Sequence, residues 1–86
     1  MHITLPLQNE SSSTVKVLLE PMSEYFLVRP GERIEIHGIF DSGAANSNFT
    51  IAPNDGVLTV YSPGDVFSFV DHYVTKDGLR LLPDGN

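Results

Sequence analysis

Cysteine is absent from this chain of 86 residues. Without it, disulfide bridges and thiolate zinc sites are excluded, and so is a blue-copper centre, which needs a cysteine ligand. Small domains often depend on such cross-links, because one small core leaves a net stability of only about 5 kcal/mol. Packing of apolar side chains therefore has to hold this domain together.

Basic residues are few: five stand against eleven acidic residues, and the formal net charge is −6. They are scattered along the chain: Lys16, Arg29, Arg33, Lys76 and Arg80. Nucleic acids bind proteins largely through neutralisation of phosphates, and anionic lipid surfaces attract polybasic segments. We therefore expect no nucleic-acid partner and no membrane partner, and a charge that keeps the protein soluble.

Long apolar runs are also missing. No run approaches the roughly 20 residues needed to cross a bilayer, and residues 1–6 lack the basic start and apolar run of a signal peptide. A cytoplasmic location is therefore expected. A secreted protein whose signal had been removed would have the same features, so that alternative stays open.

Turn-forming residues recur at short intervals and leave little room for helices. Between them apolar and polar side chains alternate, as in short strands with one buried face. Strands are predicted near residues 2–7, 14–20, 24–29, 32–39, 48–52, 57–62, 65–72 and 79–82. This pattern predicts an all-β fold in a single domain of residues 1–86: a small antiparallel β-sandwich, or a barrel-like sandwich, of about seven or eight short strands. Residues 41–48 are predicted to be a flexible loop and residues 83–86 a C-terminal tail.

Alternation also predicts which side chains form the core. In residues 32–38, Ile34 and Ile36 share one face, and the polar residues between them share the other, as a period of two requires. The same rule assigns further apolar stripes to the core: Val15 with Val17 and Leu19, Phe49 with Ile51, and Phe67 with Phe69.

Two segments, residues 25–28 and 57–61, are apolar on both faces. A two-layer sandwich buries one face of each strand, so a third element or a second subunit has to cover the other. The N-terminal strand and the C-terminal tail are candidates for that third element. The sequence therefore predicts an interaction surface that includes six residues: Tyr25, Phe26, Val28, Leu58, Val60 and Tyr61.

Dipeptides that end in glycine predict particular turns. Pro30-Gly31 and Pro63-Gly64 suit type II turns, in which the glycine takes a positive φ. Asp55-Gly56 and Asp77-Gly78 are typical of two-residue hairpins.

Patterns for catalysis or metal binding are weak. The histidines His2, His37 and His72 lack the close spacing that metal sites usually show. There is no Gly-x-Ser-x-Gly elbow, and Asp71-His72 is interpreted as a strand end facing water. We therefore predict no catalytic residue, no cofactor and no metal site. A small hydrolase or metal-dependent enzyme using His37 or His72 with a carboxylate is the alternative.

A series of short motifs extends over residues 14–80: Leu19-Glu20-Pro21, Glu24-Tyr25, Pro30-Gly31-Glu32, Asp55-Gly56-Val57, Val60-Tyr61 and Pro63-Gly64. In these motifs the chain resembles a family of short uncharacterised bacterial all-β proteins. Members of that family often have an aromatic residue and a glycine after the Glu-Pro step, where this chain has Met22-Ser23. The resemblance implies a small β fold and supplies no catalytic residues.

Together these features favour a non-enzymatic binding or protein-interaction module, which would bind a protein partner or form a homo-oligomer. An accessory structural subunit of a larger assembly is a third hypothesis.

Overall fold

The apolar alternation produces strands in nearly all of the predicted places. The computed structural model describes residues 2–40, 48–62 and 69–86, and no helix occurs among them, so none of these residues forms a helix able to span a bilayer. The strands are β1 His2–Gln8, β2 Val15–Glu20, β3 Glu24–Val28, β4 Arg33–Phe40, β5 Thr50–Asn54, β6 Val57–Tyr61, β7 Phe69–Lys76 and β8 Leu79–Leu81.

The strands form two four-stranded sheets. The first sheet has the order β1-β4-β7-β8 and the second sheet the order β3-β2-β6-β5. All neighbouring strands are antiparallel except β2 and β6, which are parallel. The predicted all-β sandwich is confirmed, and the second sheet is mixed because β2 and β6 belong to different hairpins.

The core lies between the two sheets. The predicted stripes Ile34 with Ile36 and Val17 with Leu19 are buried, and Val15 packs against them at the margin. The remaining members of the buried cluster come from other strands: Phe26, Val28, Val60 and Val74. Burying such side chains stabilises the fold by about 1.5–3 kcal/mol each.

The prediction for the pair Phe49 and Ile51 is half wrong. Phe49 packs against the core cluster, whereas Ile51 is 44% exposed because it lies on β5, the edge strand of the second sheet. The pair Phe67 and Phe69 cannot be compared, since Phe67 and the side chain of Phe69 lie outside the described residues.

Strand β7 extends to Lys76, four residues beyond the predicted end at residue 72, while residues 65–68 of the predicted strand lie outside the described residues. Val74 is fully buried opposite Ile36 of β4, and this contact draws the strand beyond residue 72. Asp71 and His72 therefore lie inside β7 on opposite faces: Asp71 meets water as predicted, whereas the prediction that His72 faces water at a strand end is wrong.

Three of the predicted turns are confirmed. Gly31 has a φ of 83°, and the amide of Glu32 donates to the carbonyl of Arg29 at 3.0 Å, as in a type II turn. Asp55-Gly56 and Asp77-Gly78 have positive φ at both positions, as in type I′ hairpins. Pro63-Gly64 and residues 41–47 of the predicted loop lie outside the described residues.

The C-terminal tail pairs with the edge of β3. The amide of Tyr25 donates to the carbonyl of Gly85 at 2.8 Å, and the amide of Asp84 donates to the carbonyl of Tyr25 at 2.9 Å. The amide of Leu27 also donates to the Asp84 carboxylate at 2.8 Å. The tail thus satisfies backbone groups at this edge.

Candidate functional site

The structure divides the six predicted interaction residues between the core and the surface. Phe26, Val28 and Val60 are 4%, 1% and 1% exposed, so their assignment to an interaction surface is wrong. Leu58 is partly buried and packs against the same cluster. Successive side chains of a strand point to opposite faces, so a strand that is apolar on both faces still places every second residue in the core.

Tyr25 and Tyr61 lie on the outer face of the second sheet. The registers of β2 with β3 and β6, and of β5 with β6, place eleven side chains on this face. We call it the apolar face, and its members are Lys16, Leu18, Glu20, Tyr25, Leu27, Thr50, Ala52, Asn54, Val57, Thr59 and Tyr61. Leu27 is 49% exposed and Tyr61 is 46% exposed, so the apolar groups meet solvent.

Charge on the apolar face is balanced. Lys16 and Glu20 are its two charged residues, so its formal charge is zero while the whole chain carries −6. The Nζ of Lys16 lies 4.2 Å from the centroid of the Tyr25 ring, which is cation–π geometry. Glu20 lies at the other end of β2, beside Tyr61 of β6.

The outer face of the first sheet has a different character, and we call it the histidine face. Its side chains are mostly polar or aromatic: His2, Thr4, Pro6, Gln8, Arg33, Glu35, His37, Ile39, Asp71, Tyr73, Thr75 and Arg80. At its centre the His37 ring stacks on the Tyr73 ring, with centroids 4.5 Å apart and planes 8° apart. The guanidinium carbon of Arg80 lies 5.1 Å from the centroid of the same tyrosine ring.

His37 makes polar contacts through both of its ring nitrogens. Its Nδ1 lies 3.0 Å from Nε2 of His2 and 3.3 Å from Oγ1 of Thr4, and its Nε2 lies 2.9 Å from Oγ1 of Thr75. Partial burial and the nearby His2 lower the pKa of His37 below its usual 6.5, while Glu35 acts in the opposite direction. The ring is therefore neutral near neutral pH.

Nε2 of His72 and Oε1 of Glu24 are hydrogen-bonded between the two sheets, since β7 belongs to the first sheet and β3 to the second. The pair lines a cavity of about 270 Å³ that Tyr73, Arg80 and Pro83 also border. No serine, threonine or cysteine is among the described residues that line it.

Lys76 and Glu32 form an ion pair beside a cavity of about 320 Å³. The hydrogen bond from Lys76 and another from the amide of Arg29 lower the pKa of the Glu32 carboxyl below its usual 4.5. Neither the Lys76–Glu32 pair nor the His72–Glu24 pair could be predicted from the sequence, because the partners are 44 and 48 residues apart.

Metal binding was predicted to be absent. Over residues 2–40, 48–62 and 69–86, no three His, Cys, Asp or Glu side chains are grouped so that they could hold an ion. The structure does bring His2 and His37 together, which the sequence reasoning missed. The alternation had placed His37 on the polar face of its strand. That His2 lies beside it depends on the pairing of β1 with β4, two strands far apart in the sequence.

Comparison with protein-family models, with curated proteins and with solved structures found no match. The resemblance to short bacterial β proteins therefore stays a prediction.

Proposed function

We propose that this chain is a non-enzymatic interaction module of the cytoplasm that associates with a second copy of itself through the apolar face. The observation that supports this proposal most is that the face lies on the outside of a two-layer sandwich and carries exposed Leu27 and Tyr61 beside half-buried Leu18 and Val57. Apolar side chains grouped on one outer face of a protein mark a candidate interaction site. The histidine face, on the opposite side of the molecule, is mostly polar and has no comparable group of aliphatic side chains among its members.

The charges on β2 favour a second copy as the occupant. Lys16 and Glu20 flank Leu18 on the same face of one strand. In the proposed dimer a two-fold axis lies in the interface, perpendicular to β2, and passes over Leu18. This axis would place Lys16 of each copy opposite Glu20 of the other copy. Because the face is neutral, the net charge of −6 is located elsewhere and opposes this approach only weakly.

The size of the face predicts a weak dimer. Four strands about 4.8 Å apart, each with five residues at about 3.3 Å per residue, span roughly 300 Å². Stable complexes bury about 800 Å² on each partner. We therefore expect a dissociation constant above about 1 µM and a concentration-dependent equilibrium.

Sedimentation equilibrium over a range of concentrations tests this proposal with a matched pair of leucines. Leu27→Ser should weaken dimerisation about tenfold, because Leu27 lies on the apolar face. Leu79→Ser should leave it unchanged, since Leu79 is 73% exposed but lies on β8 of the first sheet. A wild-type chain that is monomeric at every concentration would refute self-association.

Exchange of charges tests the symmetry of the interface. Lys16→Glu and Glu20→Lys should each weaken the homodimer, because each places like charges opposite one another. An equimolar mixture of the two variants should form heterodimers, since both contacts are then between opposite charges. If the mixture associates no better than either variant alone, the two-fold arrangement about Leu18 is wrong.

The His72–Glu24 pair supports a second candidate function, hydrolysis by a water molecule that His72 activates. A carboxylate that orients an imidazole beside a cavity is the usual arrangement of a general base. Arg80 borders the cavity and would neutralise an anionic substrate or intermediate. A panel of activated esters and phosphoesters should then show turnover that His72→Gln abolishes and His2→Gln preserves, and equal background rates in all three proteins would reject this candidate.

A further inference from the structure

We propose that His2 and His37 form a binding site for one divalent transition-metal ion that favours imidazole ligands, such as zinc or copper(II), on the histidine face. This site is separate from the apolar face and does not depend on self-association.

The strand register places the two histidines together. Thr4 of β1 is directly opposite His37 of β4, and His2 is opposite Ile39. His2 and His37 are therefore diagonal neighbours on the same face, a relation in which Cα atoms are about 7–8 Å apart. Their imidazoles are long enough to close that gap, and the nearest ring nitrogens are 3.0 Å apart.

This separation fits two nitrogens bound to one ion. With metal–nitrogen bonds of about 2.0–2.1 Å, two ligands are about 2.9 Å apart at a right angle and about 3.4 Å apart at a tetrahedral angle. The observed 3.0 Å lies within that interval. An ion would replace the hydrogen bond between the two rings, and the exposed His2 ring would have to turn so that both nitrogens point at the ion.

The contact with Thr75 is compatible with the tautomer of His37 that metal binding needs. When Nε2–H of His37 donates to Oγ1 of Thr75 at 2.9 Å, Nδ1 keeps its lone pair and directs it towards His2. Thr75 is only 9% exposed, and the Tyr73 ring stacks on the imidazole, so the ring has a defined orientation. Hydrogen bonds of this kind, from the second nitrogen of a ligating histidine, orient the ring and raise metal affinity.

The surroundings can complete the coordination of the ion. The hydroxyl of Thr4 lies 3.3 Å from Nδ1 of His37 on the same face. His2 is exposed, so water can occupy the remaining positions. A zinc ion with two protein nitrogens and exchangeable oxygen ligands results.

Calorimetric titration of the untagged protein with Zn²⁺ tests the site. The titration is done about one pH unit above the ordinary histidine pKa of ~6.5. The wild-type chain should bind one equivalent of Zn²⁺. His2→Asn and His37→Asn should each weaken binding about tenfold or more. His72→Asn is the matched control and should bind as the wild type does, because His72 is engaged with Glu24 on the other side of the first sheet.

Nuclear magnetic resonance of the wild-type imidazoles keeps the test valid if a variant does not fold. Zn²⁺ should shift the ring signals of His2 and His37 and leave those of His72 in place. Thr75→Val keeps both ligands, so it should weaken zinc binding several-fold and reduce the Nε2–H tautomer of His37 in long-range nitrogen–proton spectra. Equal losses in all three histidine variants, shifts at His72 instead, or no zinc binding by the wild type would each overturn the proposal.

Discussion

Asn9 provides the sharpest test of how the connection between β1 and β2 is held. Its side chain is 4% exposed, and Nδ2 donates to the carbonyls of Ser13 and Val28, both at 2.8 Å. Its Oδ1 accepts from the amide of Ser11 at 3.0 Å and from the hydroxyl of Ser11 at 2.7 Å. Asn9→Asp preserves the shape and the acceptor but replaces the two donors with an oxygen that faces two carbonyls.

The expected loss of stability follows from removing the two hydrogen bonds that Nδ2 of Asn9 donates. Each contributes about 1 kcal/mol, and a buried carbonyl left without a donor costs a further 1–3 kcal/mol or so. We therefore expect Asn9→Asp to lower the free energy of unfolding by about 4 kcal/mol, most of the ~5 kcal/mol available to a domain of this size. The melting temperature should fall by roughly 16–32 °C.

Urea denaturation followed by circular dichroism measures this loss, with Asn48→Asp as the matched control. Asn48 is exposed, so the same substitution there should change the free energy of unfolding by less than about 0.5 kcal/mol. The difference between Asn9→Asp and the wild type should narrow in acid, because a protonated carboxyl regains one donor. A loss below about 1 kcal/mol would show that Asn9 does not hold this connection in the way described.

Three further substitutions test other parts of the fold. Gly85→Ala should destabilise the protein by about 1–3 kcal/mol, and hydrogen exchange of the Tyr25 amide should accelerate, because a Cβ at position 85 would overlap the Tyr25 ring and displace the tail. Glu32→Gln should lower stability at neutral pH. In the folded state the hydrogen bond from Lys76 holds the pKa of the Glu32 carboxyl below 4.5. The stability that this carboxylate contributes is therefore present above pH 4.5 and is lost as the pH falls through the lowered pKa. Denaturation at several pH values should show the free energies of unfolding of Glu32→Gln and the wild type converging in acid. Leu19→Ala should cost about 2–5 kcal/mol in urea denaturation, because Leu19 is 1% exposed in the core.

Part of the candidate site followed from the sequence. Tyr25 and Tyr61 were expected at an interaction surface and do lie on the apolar face. Phe26 and Val28 come from the same apolar segment and lie in the core, because a strand that is apolar on both faces does not reveal which face points inward. The alternation that assigned Val15, Val17 and Leu19 to the core also puts Lys16 and Glu20 on the opposite face of β2, but only the strand pairing places them beside Tyr25 and Tyr61.

The local pattern determined the strands and the turns. Alternation in β4 identified Ile34 and Ile36 as buried, and Asp55-Gly56 identified a hairpin, because both effects act within a few residues along the chain. Only the tertiary structure decided which strands are neighbours, and with that the meeting of His2 with His37. Pairing between strands far apart in sequence depends on how whole faces pack together, and no short segment carries that information.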